Sequence, residues 1–233
     1  MKMCVRSIIA LSVCASAAGL AVAGPIAVDF RGTALGKSAN VSFYSGDSSG
    51  FTNRSLFVGQ LIHRLGTGAS ARDHLTYCID LTQNAGDGTF NLVGLRDAPV
   101  TAPNPSNQWE MNQAQVDSLN ALYNAHYASV DTNTEAAAFQ AAVWEIVFDW
   151  ASVSSNTFGL NSGKVRISNN VSTSTFNNYV NTAFSRGNTT SVLGAIVSSS
   201  KQDQLVLIPL PSAGLMAGAG LMLVGSRRRR SMK

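Results

Sequence analysis

The stretch Thr132-Asn133-Thr134-Glu135-Ala136-Ala137-Ala138-Phe139-Gln140-Ala141-Ala142-Val143-Trp144-Glu145-Ile146-Val147-Phe148-Asp149-Trp150 opens with a capping box and continues without a breaker. It predicts a helix running to about Trp150. Upstream, Met111 to Tyr127 sets Val116, Leu119, Leu122, Tyr123 and Tyr127 on one stripe, a second helix. Downstream, Val171 to Ser185 carries Phe176, Tyr179, Val180 and Phe184 at helical spacing, a weaker third. Before the helices, Ile26–Phe30, Asn40–Tyr44, Leu56–Leu65 and His74–Leu81 read as strands, with Gly, Ser and Asn turns between them. Asp87-Gly88 is a hairpin signal, and Ala98 to Ser106, with three prolines, reads as a loop. Ser191–Val197 and Gln204–Ile208 read as late strands. Strands, then helices, then strands is an α+β order. The expected fold is an antiparallel, β-rich domain, sandwich- or barrel-like, with an inserted helical subdomain of two to three helices.

Two polar residues stand out. At 100° per residue, Glu135, Ala138, Ala142, Glu145 and Asp149 fall on one stripe of the capped helix, expected to face solvent. Gln140 falls opposite, among Ala136, Ala137, Val143, Trp144 and Val147. Burying an amide there without partners costs about 1–3 kcal/mol. The second residue is Cys78. Cys4 and Cys14 lie in the N-terminal apolar segment, which leaves Cys78 as the one cysteine beyond it. Strand alternation puts Leu75, Tyr77, Ile79 and Leu81 on an apolar face, and Cys78 with His74, Thr76 and Asp80 on the other. The thiol is therefore expected in polar company, outside the core.

The chain has 233 residues, of which 13% are charged, against about 25% in an average soluble domain. Its net charge of +4 comes from the ends. Between them lie 10 Lys or Arg and 13 acids, a net of −3, which leaves no basic patch for nucleic acid. Residues 1–23 read as a secretory signal peptide: Lys2 and Arg6, an apolar run, then Ala21-Val22-Ala23 before Gly24. Residues 24–204 form the domain. Residues 205–233 are a sorting and anchoring segment, in which Leu205 to Gly225 carries no charge and is followed by Arg227, Arg228, Arg229 and Arg230. That run is long enough to cross a bilayer as a helix, with the arginines held inside the cell.

Tyr77-Cys78-Ile79-Asp80 followed by Phe139-Gln140-Ala141-Ala142-Val143-Trp144 resembles the paired signature of bacterial thioester domains. The usual second motif, Thr-Gln-x-Ala-Ile/Val-Trp, is matched at Gln140, Ala142, Val143 and Trp144, with Phe139 in place of Thr. The resemblance implies that the Cys78 thiol and the Gln140 side-chain carbonyl join as an internal thioester, open to an amine on a surface or matrix partner. Ile208-Pro209-Leu210-Pro211, a short apolar run and a terminal Arg cluster resemble the PEP-CTERM sorting signal of bacterial exported proteins, with Leu210 where Glu is usual. That resemblance implies processing by an exosortase-like sorting machinery.

Such a bond is a single-use link, not turnover, so the chain is not expected to be an enzyme and needs no cofactor. His74 is the nearest titratable candidate to pass a proton, with Asp80 to orient it. No metal is expected, because His63, His74 and His126 lack ligand spacing. Gly46-Asp47-Ser48-Ser49-Gly50 matches a nucleophile elbow but precedes a strand where a helix is required. Two other readings stay open: an inert structural surface or matrix domain, and a cysteine hydrolase with Cys78 as nucleophile and a histidine base. Deleting Leu215 to Lys233 should release the domain from the membrane fraction of the producing cell, which fractionation and immunoblotting will read.

Overall fold

In a computed structural model, which describes residues 23–44, 50–101, 108–150, 157–185 and 193–208, the first strand, β1 (Ala23–Tyr44), is 22 residues long. The sequence predicted two short strands with a turn between. The glycines there serve bulges instead. Register shifts at Phe30/Gly32 and Thr33/Gly36 bend β1, with Gly32 at φ 115°, and the strand then continues along one partner. That partner is β2 (Phe51–Leu65). β3 (Arg72–Cys78), β4 (Gly88–Gly94) and a small hairpin of β5 (Pro99–Thr101) and β6 (Gln108–Glu110) follow. The hairpin occupies part of the stretch expected to be loop.

Three α-helices come next among the described residues, α1 (Gln113–His126), α2 (Asn133–Phe148) and α3 (Thr173–Ser185). Both α1 and α2 start with reciprocal capping boxes, Asn112/Gln115 and Thr132/Glu135. β7 (Val165–Ile167), β8 (Leu193–Val197) and β9 (Gln204–Leu207) are the last elements of the described residues, and β9 takes Leu205–Leu207 of the expected 205–233 segment into the sheet. The fold is α+β with a seven-stranded antiparallel sheet in the order β2-β3-β9-β8-β4-β1-β7. Because β1 also pairs with β2, six of these strands close into a ring, and β7 adds to the far end of β1.

Register sorts the residues by face. Leu61 opposite Thr76, Cys78 opposite Gln204, Gln204 opposite Ile196 and Val28 opposite Leu65 all lie on the inner face. A small cluster of Val28, Leu65, Phe90, Ile196 and Val206 fills one end of it. The outer face carries Tyr77 and Leu205 into the main core, under the helices. Helix α2 lies between β1, β2 and β3 on one side and α1 and α3 on the other.

That sandwiching overturns the expected solvent stripe. Ala138 and Ala142 are fully buried, and Glu145 and Asp149 are 3% and 5% exposed. Only the first turn, with Glu135, meets water as predicted. The two buried acids are held by main chain. The Glu145 carboxylate accepts from the Gly159 amide at 3.4 Å, and Asp149 from the Lys164 and Val165 amides at 2.6 and 3.0 Å. Burial, with the Asp149 charge adding to it, pushes Glu145 up to about 8.

Residues 1–22 of the expected 1–23 signal peptide, the Gly46–Ser49 part of the elbow pattern, the Pro209/Pro211 box and the Arg227–Arg230 cluster lie outside the described residues, while Ala23 begins β1. Among the described residues no helix is long and apolar enough to cross a membrane. The Glu145 shift predicts pH dependence. An acid whose folded pKa is raised holds its proton in the folded chain and has lost it in the unfolded one, so its stabilisation is lost as pH rises toward 8. The thermal midpoint should fall between pH 6.5 and 8, and Glu145→Gln, still able to accept from Gly159, should flatten that slope.

Candidate functional site

β3 loses its partner β2 just before the cysteine. The β2 ladder with β3 ends at Leu61 opposite Thr76, while β9 continues alone to Cys78. The main-chain groups of Cys78 on the vacated side need partners. Gln140, reaching down from α2, supplies both. Its Oε1 accepts from the Cys78 amide at 2.9 Å, and its Nε2 donates to the Cys78 carbonyl at 2.9 Å. The carboxamide thus stands in for a peptide unit of the missing strand. This brings together the two residues singled out in the sequence, 62 positions apart.

Cys78 is 4% exposed and belongs to the main core, which corrects the expectation that it lies outside. The alternation was read correctly, but its second face turns into the ring rather than to solvent. Leu75, placed on the apolar face, is 40% exposed. The sulfur donates to the Asp80 carbonyl at 2.9 Å. Burial pushes the thiol well above its ordinary range, and the Asp80 charge adds to this. A separate main-chain hydrogen bond at Asp80 and the Trp144 indole act the other way.

Beside the sulfur lies a cavity of about 220 Å³, lined by Cys78, Gln140, Trp144, Gln83 and Gln202 and reaching the exposed Arg54. Trp144 sits one turn beyond Gln140 on the same helix. Asp80, fully buried, accepts from the Thr82 amide and hydroxyl at 2.7 and 2.6 Å. Burial raises its pKa, and these bonds oppose the rise. Asp80 thus reaches the sulfur through its carbonyl, and its carboxylate holds the following turn.

His74 is not brought there. It lies on the inner face four residues away, roughly 13 Å along the strand, and lines a different cavity with Leu65, Arg72 and Ile208. His63 is fully buried, 2.8 Å from the Thr76 hydroxyl, and burial lowers its pKa to about 4. His126 packs against the Tyr179 ring at the far end of α1. Among the described residues, no histidine lines the Cys78 cavity.

Sequence reasoning missed Gln202, Asp203 and Gln204. Gln202 Nε2 donates to the Asp80 and Gln83 carbonyls at 2.9 and 3.2 Å, which fixes the turn holding the sulfur. Gln204 Nε2 donates to Gln202 Oε1 at 2.9 Å, and its own Oε1 lies 3.4 Å from the Thr76 hydroxyl. Asp203 accepts from the Ser198 amide at 2.8 Å, and burial pushes it up to about 7. The signal was present in Gln202-Asp203-Gln204, three polar residues at the mouth of an apolar strand.

Gln140→Leu removes both hydrogen bonds and leaves the buried Cys78 amide and carbonyl unpaired. It should lower unfolding stability by about 1–3 kcal/mol, read from denaturant midpoints. No protein-family model, curated protein or solved structure matches this chain.

Proposed function

We propose that the chain is an exported, envelope-anchored surface protein whose Cys78 and Gln140 form an internal thioester for covalent attachment to an amine-bearing surface or matrix partner. The observation that carries this reading is the Gln140 carboxamide docked on the Cys78 main chain beside a cavity open toward the surface. Export, anchoring through the C-terminal segment and handling by an exosortase-like machinery rest on the sequence of the two ends.

The Cys78 sulfur attacks the Gln140 Cδ, the C–N bond breaks, and the thiol proton leaves with Nε2 as ammonia. Gln140 Oε1, which gathers negative charge at that point, already accepts from the Cys78 amide at 2.9 Å. Fixing both buried groups in one site substitutes for the weak electrophilicity of an amide. A primary amine entering the cavity then attacks Cδ, the C–S bond breaks, and the sulfur takes the amine's proton. An amide link and a free thiol remain.

One observation favours a second reading, an inert structural domain. The Gln140 amide is hydrogen-bonded at both ends, and that alone accounts for its place in an apolar helix. A cysteine hydrolase is less well supported, because the thiol is pushed up and no histidine lines its cavity among the described residues.

Intact mass separates these readings. The purified chain should be lighter than its sequence by one ammonia and inert to thiol reagents. Methylamine should add its mass at Gln140 and free one thiol. Cys78→Ala and Gln140→Ala should each abolish both effects. Full mass, with Cys78 alkylated only on unfolding, leaves the structural domain.

A further inference from the structure

Trp144 carries a feature that packing does not explain. Its ring is 2% exposed, and its Nε1 is buried without a hydrogen bond of ordinary geometry. An unpaired buried N–H is unfavourable, and phenylalanine would fill much of the same space without one. The group is not remote from the chemistry. Trp144 follows Gln140 by one helical turn, and both line the cavity that holds Cys78.

We propose that Trp144 is a catalytic residue of this site, its indole N–H stabilising negative charge on the Cys78 sulfur. The inference rests on the Cys78–Gln140 thioester reading and adds to it the group that manages the sulfur. The indole is the side-chain donor that acts on the sulfur. Asp80 and Asp203 are the charged groups that act on the sulfur electrostatically, and both are acids that disfavour a thiolate. At Asp80 the carbonyl accepts the thiol proton at 2.9 Å, and a main-chain hydrogen bond there favours the anion. The indole N–H opposes the two acids in the same sense, as the side-chain donor that favours the charged form.

The donor serves two steps. In formation, the sulfur attacks Cδ as its proton leaves with the departing ammonia, and the N–H supports charge on sulfur before the bond closes. In opening, an amine bonds to Cδ and the C–S electron pair returns to sulfur. The N–H holds that charge until the amine's proton arrives. An N–H left unpaired beside the thiol suits this role, because such a donor binds a thiolate better than a neutral thiol or thioester.

The test compares the full chain carrying wild-type Trp144, Trp144→Phe, and replacement of Trp144 by 3-benzothienylalanine, which keeps the indole shape with sulfur in place of N–H. Intact mass gives the fraction lacking one ammonia, and mass plus freed thiol gives the methylamine opening rate at fixed pH. Loss of one hydrogen bond to a charged group should slow opening roughly tenfold to a hundredfold in both variants, with the thermal midpoint of the benzothienyl chain close to wild type. Failure of the benzothienyl chain to lose ammonia, where wild type does lose it, supports the same role in formation. Opening at the wild-type rate by the benzothienyl chain overturns the proposal and leaves Trp144 a packing residue, even if Trp144→Phe is unstable. A wild-type chain of full mass defeats the thioester reading itself and this inference with it.

Discussion

Helix α2 has no dry side to spare and almost no wet one. From its second turn on it is enclosed by the sheet and two helices. Apart from the Trp144 N–H, the buried polar side chains on it find partners inside the protein, since a lone buried polar group is unfavourable by about 1–3 kcal/mol. The partners are nearly all main chain. Asn133 accepts from the Gly36 amide at 3.1 Å, where β1 bulges. Gln140 answers Cys78, Glu145 answers Gly159, and Asp149 answers Lys164 and Val165. In return, Gln115 of α1 donates to the Ile146 and Val147 carbonyls, both at 3.0 Å, near the end of α2. The helix is a hub that fixes one strand, one strand end and one loop.

The site inherits its order from that hub. Two hydrogen bonds fix the position of the Gln140 carboxamide, and the Tyr77 ring beside it packs on Phe139 with centroids 4.6 Å apart. The aromatic cluster of Tyr77, Tyr123, Tyr127 and Phe139 therefore locks β3 against α2 immediately before the cysteine. On the other side, Gln202 and Gln204 hold the turn after it. The sulfur sits between an aromatic clamp and an amide clamp.

Much of this was legible in sequence, and the limits have physical causes. Capping boxes and helical stripes are local, so α1 and α2 were found with ends within two residues of the observed ones. The oddness of Cys78 and Gln140 was visible because each violates a pattern. Burial of Glu145 and Asp149 was not, because a helical wheel reports which residues share a side, not how many sides are covered. The inward turn of the Cys78 face escaped for a related reason. Alternation names two faces, and only closure of the ring, set by pairings far apart in the chain, decides that neither is wet. His74 was placed on the correct face, but distance along a strand separates it from the sulfur.

The ring also governs when the protein becomes itself. β9 lies between β3 and β8, so the barrel closes only once Gln204–Leu207 is in place, at the very end of the described chain. Until then β3 has an open edge and β1, the first strand made, lacks a closed circuit through β4. Pairings this distant in sequence make for slow folding, and a growing chain cannot complete them early.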